Sequence, residues 1–271
     1  MPGDPVTAAD VRACFRGDVY GQAEGMTDAW FADHVARNDI DLARSPRWTV
    51  DGTLAAIALL GFRGERAWIG GFGVAPAFRG HGMGGVCVAG VLAIAREAGA
   101  ATVELEVLEH NPGAIRLYQR GGFEQIDELI VWRRERLSAP RGTANGAVCA
   151  TPRDAASVAA LARSPATCWQ REPRSVAAAS SFTTLTIGDD GGPAAYAFVR
   201  LDGPRGDAVL DAGARDEAAA SAVFSLLDAQ FGAHDLVLPN EPSSGPLNDA
   251  LLAEPWWGQI GRQRRMSIAL R

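Results

Sequence analysis

Lysine is absent from this sequence, and all 26 basic residues are arginines. The absence excludes a phosphate-binding P-loop, because that motif ends in a lysine that contacts the phosphates. The four cysteines, Cys14, Cys87, Cys149 and Cys168, show no C-x-x-C spacing. The sequence therefore predicts neither a structural zinc site nor a disulfide framework, and we expect no bound metal.

Long apolar runs are also missing, since no stretch approaches the roughly 18 residues of a membrane-spanning helix. The first residues, Met-Pro-Gly-Asp-Pro, lack the basic-then-apolar order of a signal peptide. We therefore expect a cytoplasmic protein without a membrane partner. The net charge of −6 argues against a nucleic-acid partner and suits a cationic substrate such as an amine.

The first half of the 271-residue chain combines helical and strand patterns. Apolar spacing predicts two helices, three strands, a helix, a strand, a short helix and a final strand. The ranges are 10–16, 27–38, 47–52, 54–62, 67–74, 86–98, 102–107, 112–120 and 123–135. A hairpin turn is predicted at Asp51-Gly52, and Gly99 and Gly121 are each predicted at the C′ position of a helix. This order predicts a mixed α/β fold.

The second half repeats this order loosely. It predicts a helix, three strands, a helix and a strand, at 152–164, 182–188, 194–201, 208–212, 216–231 and 235–239. Between the halves, a polar segment with proline and glycine and no periodicity predicts a linker at 138–145. We therefore predict two domains, residues 1–137 and residues 146–271, with the second a degenerate copy of the first.

A glycine-rich turn, Arg79-Gly80-His81-Gly82-Met83-Gly84-Gly85, lies between a predicted strand and an apolar helix. Glycines let the backbone approach a ligand closely, and free N–H groups at a helix N-terminus attract anions. Three of the glycines formally match the dinucleotide-binding fingerprint, with Glu104 about 20 residues further on. In that fingerprint the first glycine follows its strand almost directly, whereas residues 75–79 intervene here. A nicotinamide-dependent enzyme is thus a rival interpretation.

Two segments taken together resemble the GNAT superfamily of N-acyltransferases. Residues 74–84, Val-Ala-Pro-Ala-Phe-Arg-Gly-His-Gly-Met-Gly, resemble its acetyl-CoA loop, with Arg79, Gly82 and Gly84 at the positions of the R/Q-x-x-G-x-G/A signature. Residues 111–123 resemble its N-x-x-A-x-x-L-Y-x-x-x-G-F segment. The resemblance implies a mixed sheet, flanked by helices, whose two central parallel strands splay apart. It also implies an N-acetyltransferase that uses acetyl-CoA as co-substrate and needs no metal.

The resemblance further assigns a role to individual residues. Phe72, Gly73 and Val74 would hydrogen-bond the pantetheine arm, with the Val74 N–H near the thioester carbonyl. Asn111 would contact the end of that arm. The pyrophosphate would be held by the backbone of Arg79, Gly80, His81, Gly82, Met83, Gly84 and Gly85.

Acyl transfer to an amine requires removal of a proton, because free alkyl amines have a pKa near 10. Alternation along 102–107 places Glu104 and Glu106 on one strand face, where two like charges in a covered cleft could raise one pKa. Glu106 lies twelve residues before Tyr118, a spacing similar to the Glu/Tyr pair of ribosomal-protein N-terminal acetyltransferases. We predict Glu106 as the general base and Tyr118 as the general acid towards the departing sulfur.

Alternatives remain at this stage. His34, His110 and the C-terminal carboxylate of Arg271 are other candidate bases. Glu106 also fits a solvated strand face, and Tyr118 fits a packed core position. For the whole protein, the alternative function is a non-catalytic CoA-binding sensor of the same fold.

The second half is not expected to bind CoA, because Asp216 and Glu217 occupy the helical turn that corresponds to the glycine-rich turn. We expect this half to complete the amine pocket or to cover apolar surface, with Trp169, Trp256 and Trp257. The amine itself is not identified, since a small molecule and a peptide both fit. A homodimer is left open.

Overall fold

The structure is a computed structural model that describes residues 4–15, 26–138, 147–149, 168–179, 181–189, 192–204 and 206–270. Residues 139–145 of the predicted linker, the helix predicted at 152–164 and Arg271 lie outside the described residues.

Helices and strands of the first half follow the predicted order. The helices are α1 (Ala8–Cys14), α2 (Asp28–Arg37), α3 (Met83–Glu97) and α4 (Pro112–Arg120). The strands are β1 (Arg47–Val50), β2 (Thr53–Arg63), β3 (Arg66–Val74), β4 (Thr102–Leu108) and β5 (Glu124–Arg134). A single 3-10 turn, Pro76–Phe78, separates β3 from the glycine-rich turn.

The described residues of the second half contain one of the two predicted helices, the four predicted strands and several elements that the sequence did not indicate. The strands are β6 (Ala147–Cys149), β7 (Thr183–Asp189), β8 (Gly192–Arg200), β9 (Ala208–Ala214), β10 (Leu236–Pro242) and β11 (Trp257–Ala269). The helices are α5 (Pro173–Ala177), α6 (Glu217–Phe231) and α7 (Pro246–Ala253), with a 3-10 turn at Trp169–Arg171. We missed α5 and α7 because five and eight residues are too few to show a helical period. Among the described residues, no helix is both long and apolar enough to span a bilayer.

The chain divides into two compact units that differ from the predicted domains at their ends. Unit 1 comprises Met1–Asp127 with Gln263–Arg271, and unit 2 comprises Glu128–Arg262. The exchange arises because the end of β5 pairs with β10 in unit 2, whereas the end of β11 pairs with β4 in unit 1. That the halves of the sequence are copies of one another stays a prediction.

The sheet of unit 1 contains a local separation between its two parallel strands. β1, β2 and β3 pair antiparallel, and the β1–β2 turn at Asp51-Gly52 has positive φ at both residues, which confirms the predicted hairpin. β3 and β4 pair in parallel only from Arg66↔Thr102 to Ile69↔Leu105. Beyond that pair lies what we call the β3–β4 gap, between residues 70–74 and residues 106–108. The predicted mixed α/β fold with a splayed central sheet is thereby confirmed.

Gly70 lies where the gap begins. The register between β2 and β3 shifts by one residue there, which makes Gly70 the extra residue of a β-bulge. A Cβ at this position would collide with the indole of Trp68 and with Ile40. Glycine therefore leaves the space that the Trp68 indole occupies at the point where β3 leaves β4.

The apolar core of unit 1 lies on one face of β4. Val103, Leu105 and Val107 are buried there together with α3 and α4 side chains and with Met266 of β11. This is the alternation that the sequence predicts. The carboxylates of Glu104 and Glu106 consequently project from the opposite face of the strand.

The predicted helix ends are correct for α3 and wrong by one residue for α4. Gly99 has φ +79° just after α3, as expected of a C′ residue. After α4, however, the left-handed residue is Gly122 with φ +93°, while Gly121 is right-handed. Gly121 is needed for a different reason, since a Cβ there would lie 2.9 Å from Val88 Cγ1 of α3.

Unit 2 has a sheet with a similar separation. β6 to β9 pair antiparallel, and β9 pairs in parallel with β10 at the single position Val237↔Ala208. Trp257 packs on Phe224 inside its apolar core. Trp169 is also buried, whereas Trp256 is half exposed. Two of the three tryptophans that we expected to line a pocket or an apolar surface therefore belong to the interior of unit 2.

Candidate active site

The glycine-rich turn leads into α3, and its backbone is exposed there. Gly80 and Gly82 have φ of +79° and +82°, a conformation that L side chains rarely adopt. A Cβ at either glycine would meet no atom of the described residues within 4 Å. Gly82 is the N-cap of α3 and has no side chain with which to cap it. The first amides of α3 and the positive end of its dipole therefore suit a phosphate group.

The side chain of Arg79 fastens this turn to the protein. Its Nε donates to the Val74 carbonyl at 2.8 Å, and its Nη2 donates to the Cys14 carbonyl at 3.1 Å. Gly73 supports the same contact, because a Cβ there would lie 2.9 Å from the Cys14 carbonyl oxygen. The Arg79 side chain is thus engaged within the protein, and binding of a pyrophosphate by the backbone of the turn stays a prediction.

Within the described residues, no strand pairs with the side of β3 that faces the gap near its end. Residues 72–74, which include Phe72 and Val74, pair with β2 on one side, and their pairing with β4 has already ended. Unpaired strand amides and carbonyls can bind an extended ligand as an added strand would. A pantetheine arm carries two amides and therefore fits this edge chemically.

The remaining predicted ligand residues lie around this turn and at the start of α4. His81 is exposed and Met83 is half-buried. Gly84 packs closely on α4, since a Cβ there would lie 3.0 Å from Leu117 Cδ2. Asn111 is the N-cap of α4, and its Oδ1 accepts a hydrogen bond from the Ala114 N–H at 3.1 Å. These positions are reported as geometry, and their contacts with acetyl-CoA stay predictions.

Tyr118 is buried on the core side of the sheet. Its ring makes edge-on contacts with Phe72, at 6.3 Å between centroids, and with Phe123, at 5.7 Å. Burial raises the pKa of the Tyr118 hydroxyl above its usual value of 10. The group therefore keeps its proton at neutral pH, as a general acid must. The contact with Phe72 places the ring next to the gap.

Glu106 is the first residue of β4 beyond its last pair with β3. Its Oε2 accepts a hydrogen bond from Trp68 Nε1 at 2.8 Å. Its Oε1 is buried and has no hydrogen-bond partner among the described residues. Burial raises the pKa of Glu106 to about 7, and the negative charge of Glu104 adds to the rise. The Trp68 hydrogen bond and the charge of Arg265 oppose it.

Glu104, the other carboxylate on this face, is held in ion pairs. Arg66 Nε donates to its Oε1 at 3.1 Å, and Arg265 Nη2 donates to its Oε2 at 2.7 Å. The two carboxylates therefore differ in kind, since Glu104 is neutralised while Glu106 keeps an unpartnered oxygen. The sequence did not identify Trp68 or Arg265, because both meet these glutamates through strand pairing.

His34, an alternative base, is buried in α2 beside this cluster. Its Nε2 lies 3.1 Å from the Gly70 carbonyl, and its Nδ1 lies 3.2 Å from Asn38 Nδ2. Its ring stacks on Trp30 at 4.9 Å and tilts against Trp68 at 5.8 Å. Both ring nitrogens are thus engaged.

Of the other proposed groups, His110 is exposed in the turn after β4, and Arg271 lies outside the described residues. Within the described residues, no group of three His, Cys, Asp or Glu side chains could hold a metal ion.

In the described residues of unit 2, the two corresponding positions are occupied by the protein's own charged side chains. At the N-terminus of α6, the Asp216 carboxylate itself accepts the Ala219 N–H at 2.9 Å, so a carboxylate lies where a phosphate would bind. Between β9 and β10, a buried guanidinium bridges the separated strands. Arg171 donates to Asp211 Oδ1 at 2.8 Å and to the Ala212 carbonyl at 2.9 Å on β9. It also donates to the Asn240 carbonyl, at 3.1 Å, on β10.

Comparison with known proteins bears on the same region of the chain. Residues 11–123 match a family described as the Acetyltransferase (GNAT) family. Over these residues, somewhat less than half of the chain, the protein is similar to that family. The match ends at the final residue of the predicted L-Y-x-x-x-G-F segment, and it includes the glycine-rich turn, Glu106 and Tyr118.

Solved structures similar to the whole chain extend the comparison beyond residues 11–123. The GCN5-related N-acetyltransferase from Sphaerobacter thermophilus has 17% identity and a TM-score of 0.66, over 98% of this chain and 95% of that one. The GCN5-related N-acetyltransferase from Anabaena variabilis has 17% identity and a TM-score of 0.60, over 97% and 69%. Eis1 from Mycobacterium abscessus has 17% identity and a TM-score of 0.52, over 89% and 70%. At these identities the likeness shows the fold alone. No significant match was found among curated proteins.

Proposed function

We propose that residues 11–123 form a GNAT domain that transfers an acetyl group from acetyl-CoA to a primary amine, by direct attack in a ternary complex. The observation that carries the proposal is Glu106 Oε1, a buried and unpartnered carboxylate oxygen where β3 and β4 separate. The glycine-rich turn at the N-terminus of α3 supports it, because it offers free amides to the diphosphate of the co-substrate.

The reaction needs one proton acceptor and one proton donor. Glu106 Oε1 takes a proton from the bound ammonium, and the freed amine nitrogen then bonds to the thioester carbonyl carbon. The resemblance assigns the Val74 N–H to the oxyanion that forms. When the C–S bond breaks, Tyr118 gives its proton to the thiolate, and the second amine proton restores the phenol. The products are an N-acetyl amide and CoA, with one proton left on Glu106.

The pKa of Glu106 suits this task. A general base works best when its pKa lies near the working pH, because it is then both available and strong enough. At about 7, the carboxyl is far more basic than an exposed glutamate. Both oxygens of Glu104 are bound by arginines, so Glu104 could not accept a proton without losing an ion pair.

The charge of the protein and the surroundings of Glu106 indicate only the class of amine. A cationic small-molecule amine or a peptide N-terminus fits the net charge of −6. Trp68, which donates to Glu106, contacts His34, and His34 stacks on Trp30, so an aromatic cluster lies beside the candidate base. The cytoplasmic location, the absence of nucleic-acid and membrane partners and the homodimer remain predictions.

Thiol release from acetyl-CoA in the presence of a panel of primary amines tests the proposal, with calorimetric titration of CoA as a parallel measurement. We expect CoA binding and amine-dependent thiol release, and Glu106→Gln should lower release without loss of binding. Binding without release for every amine would favour the sensor function. Neither binding nor release would contradict the proposal.

A further inference from the structure

The last strand of the chain brings a cation beside the two carboxylates. In unit 1, Gln263–Ala269 of β11 pair antiparallel with β4, and Arg265 stands directly opposite Glu106. Directly opposed residues of an antiparallel pair project from the same face, with Cβ atoms about 5 Å apart. Arg265 therefore shares a face with Glu106 and, by alternation, with Glu104.

The guanidinium of Arg265 binds Glu104. Nη2 and Nε donate to the same oxygen, Oε2, at 2.7 and 3.2 Å. The Arg265 and Glu104 side chains are 12% and 10% exposed, whereas Arg66, on the other oxygen, is 36% exposed. Solvent screens buried charges least, so Arg265 is the stronger electrostatic partner of the two.

The charge balance of the cluster depends on this residue. With both carboxylates ionised, Glu104 and Glu106 carry two negative charges, and Arg66 and Arg265 carry two positive charges. The cluster is then neutral, and loss of Arg265 would leave it with one net negative charge. Besides these groups, His34 of α2 faces the cluster across the indole of Trp68.

Building on the function proposed above, we infer that Arg265 is a positioning residue that acts on the base through Glu104. It neutralises Glu104, so that the adjacent Glu106 can ionise at neutral pH although its Oε1 is buried. The direction of each charge effect agrees, because Arg265 lowers the pKa of Glu106 and Glu104 raises it. The second half of the sequence thus contributes its final strand to the proton chemistry of unit 1.

The direct test is a pH titration of Glu106 in the full chain. The titration is monitored by NMR of protein labelled with ¹³C at the glutamate carboxyl. The Glu106→Gln variant identifies the resonance. We expect Arg265→Gln to raise the pKa of Glu106 by about one unit, because removal of a nearby opposite charge destabilises the carboxylate. The acid limb of the kcat/KM profile should move upward by the same amount, with unchanged KM for acetyl-CoA.

Two variants control for a purely structural role. Arg265→Lys keeps the charge and should return the pKa close to that of the natural protein. Glu104→Gln removes the negative neighbour and should lower the pKa, a shift of opposite sign that loss of packing would not produce. If Arg265→Gln does not fold, Glu104→Gln decides the matter. An unmoved Glu106 pKa would overturn the inference, whereas a natural protein that acetylates no amine would contradict only the proposed function.

Discussion

Glu106 combines burial with a chemical task that requires charge. Its folded-state pKa of about 7 exceeds the ordinary value of 4.5, so folding takes up a proton between these two pH values. The stability that the protonated form contributes is complete below about pH 4.5. It is lost as the pH rises through 7. At neutral pH and above, ionisation of Glu106 therefore lowers the stability of the fold, and the ionised form is the one that can accept a proton.

Glu106→Gln should accordingly stabilise the protein while it impairs turnover. Glutamine stays neutral, so the loss of stability above pH 4.5 should disappear. At pH 8 the free energy of unfolding should exceed that of the natural protein by up to roughly 3 kcal/mol, because each pKa unit corresponds to about 1.4 kcal/mol. Urea unfolding at pH 4.5 and pH 8 measures the difference. Glu104→Gln, which breaks two ion pairs, is the control and should show no such gain.

Tyr118 makes a separate prediction about the leaving group. Tyr118→Phe keeps the ring contacts with Phe72 and Phe123 and removes only the hydroxyl. We expect kcat to fall by about 100-fold, the size of effect typical of a lost general acid. Calorimetry should show an unchanged affinity for CoA. Unchanged turnover would restrict Tyr118 to core packing.

These two residues could be predicted from sequence, and their partners could not. Val103, Leu105 and Val107 are spaced by two, which was enough to place Glu106 on the opposite strand face. Trp68 lies 38 residues before Glu106 along the chain, and Arg265 lies 161 residues after Glu104. Contacts over such separations follow from strand order and register, which a local pattern does not contain.

Among the secondary-structure elements, the two long helices that follow parallel-pairing strands differ at their N-termini. α3 begins after Gly82, and its amides are presented to the surface, whereas α6 begins at Asp216, whose carboxylate accepts an amide of its first turn. The sequence was sufficient to predict this contrast, because it rests on which residues occupy one turn. It was not sufficient to predict the β9–β10 bridge, since Arg171 comes from a short 3-10 turn.

A substitution can place a negative charge at the N-terminus of α3, like the charge of Asp216 at the N-terminus of α6. Gly85 is in the first turn of α3, and a Cβ there meets no atom of the described residues within 4 Å. Gly85→Asp should raise the Kd for CoA by about tenfold or more, because a carboxylate repels the diphosphate while it suits the helix dipole. The melting temperature should not fall. Gly85→Asn is the neutral control of equal shape, and equal weakening by both variants would point to size instead of charge.

For the whole molecule, the exchange of strands makes the two halves of the sequence poor guides to independent folding. Residues 263–269 of β11 form the second neighbour of β4, opposite β3. The end of β5 pairs with β10 of unit 2. The sequence predicts a linker at 138–145 because this segment is polar and has no periodicity. Composition cannot report that the chain's final strand returns to the first sheet, since that return depends on pairing between distant segments.

A fragment of residues 1–137 should therefore fail to fold, because β4 would lose one of its two neighbouring strands and Met266 would be missing from the core. A chain in which residues 1–127 are joined to 263–271 by a Gly/Ser linker of about 12 residues, which reaches roughly 20 Å, restores that strand. We expect this joined chain to melt cooperatively and to bind CoA, whereas the fragment aggregates. Circular dichroism and calorimetry on both decide the question. A monomeric fragment with natural affinity for CoA would show that the returning strand is dispensable for folding and for CoA binding.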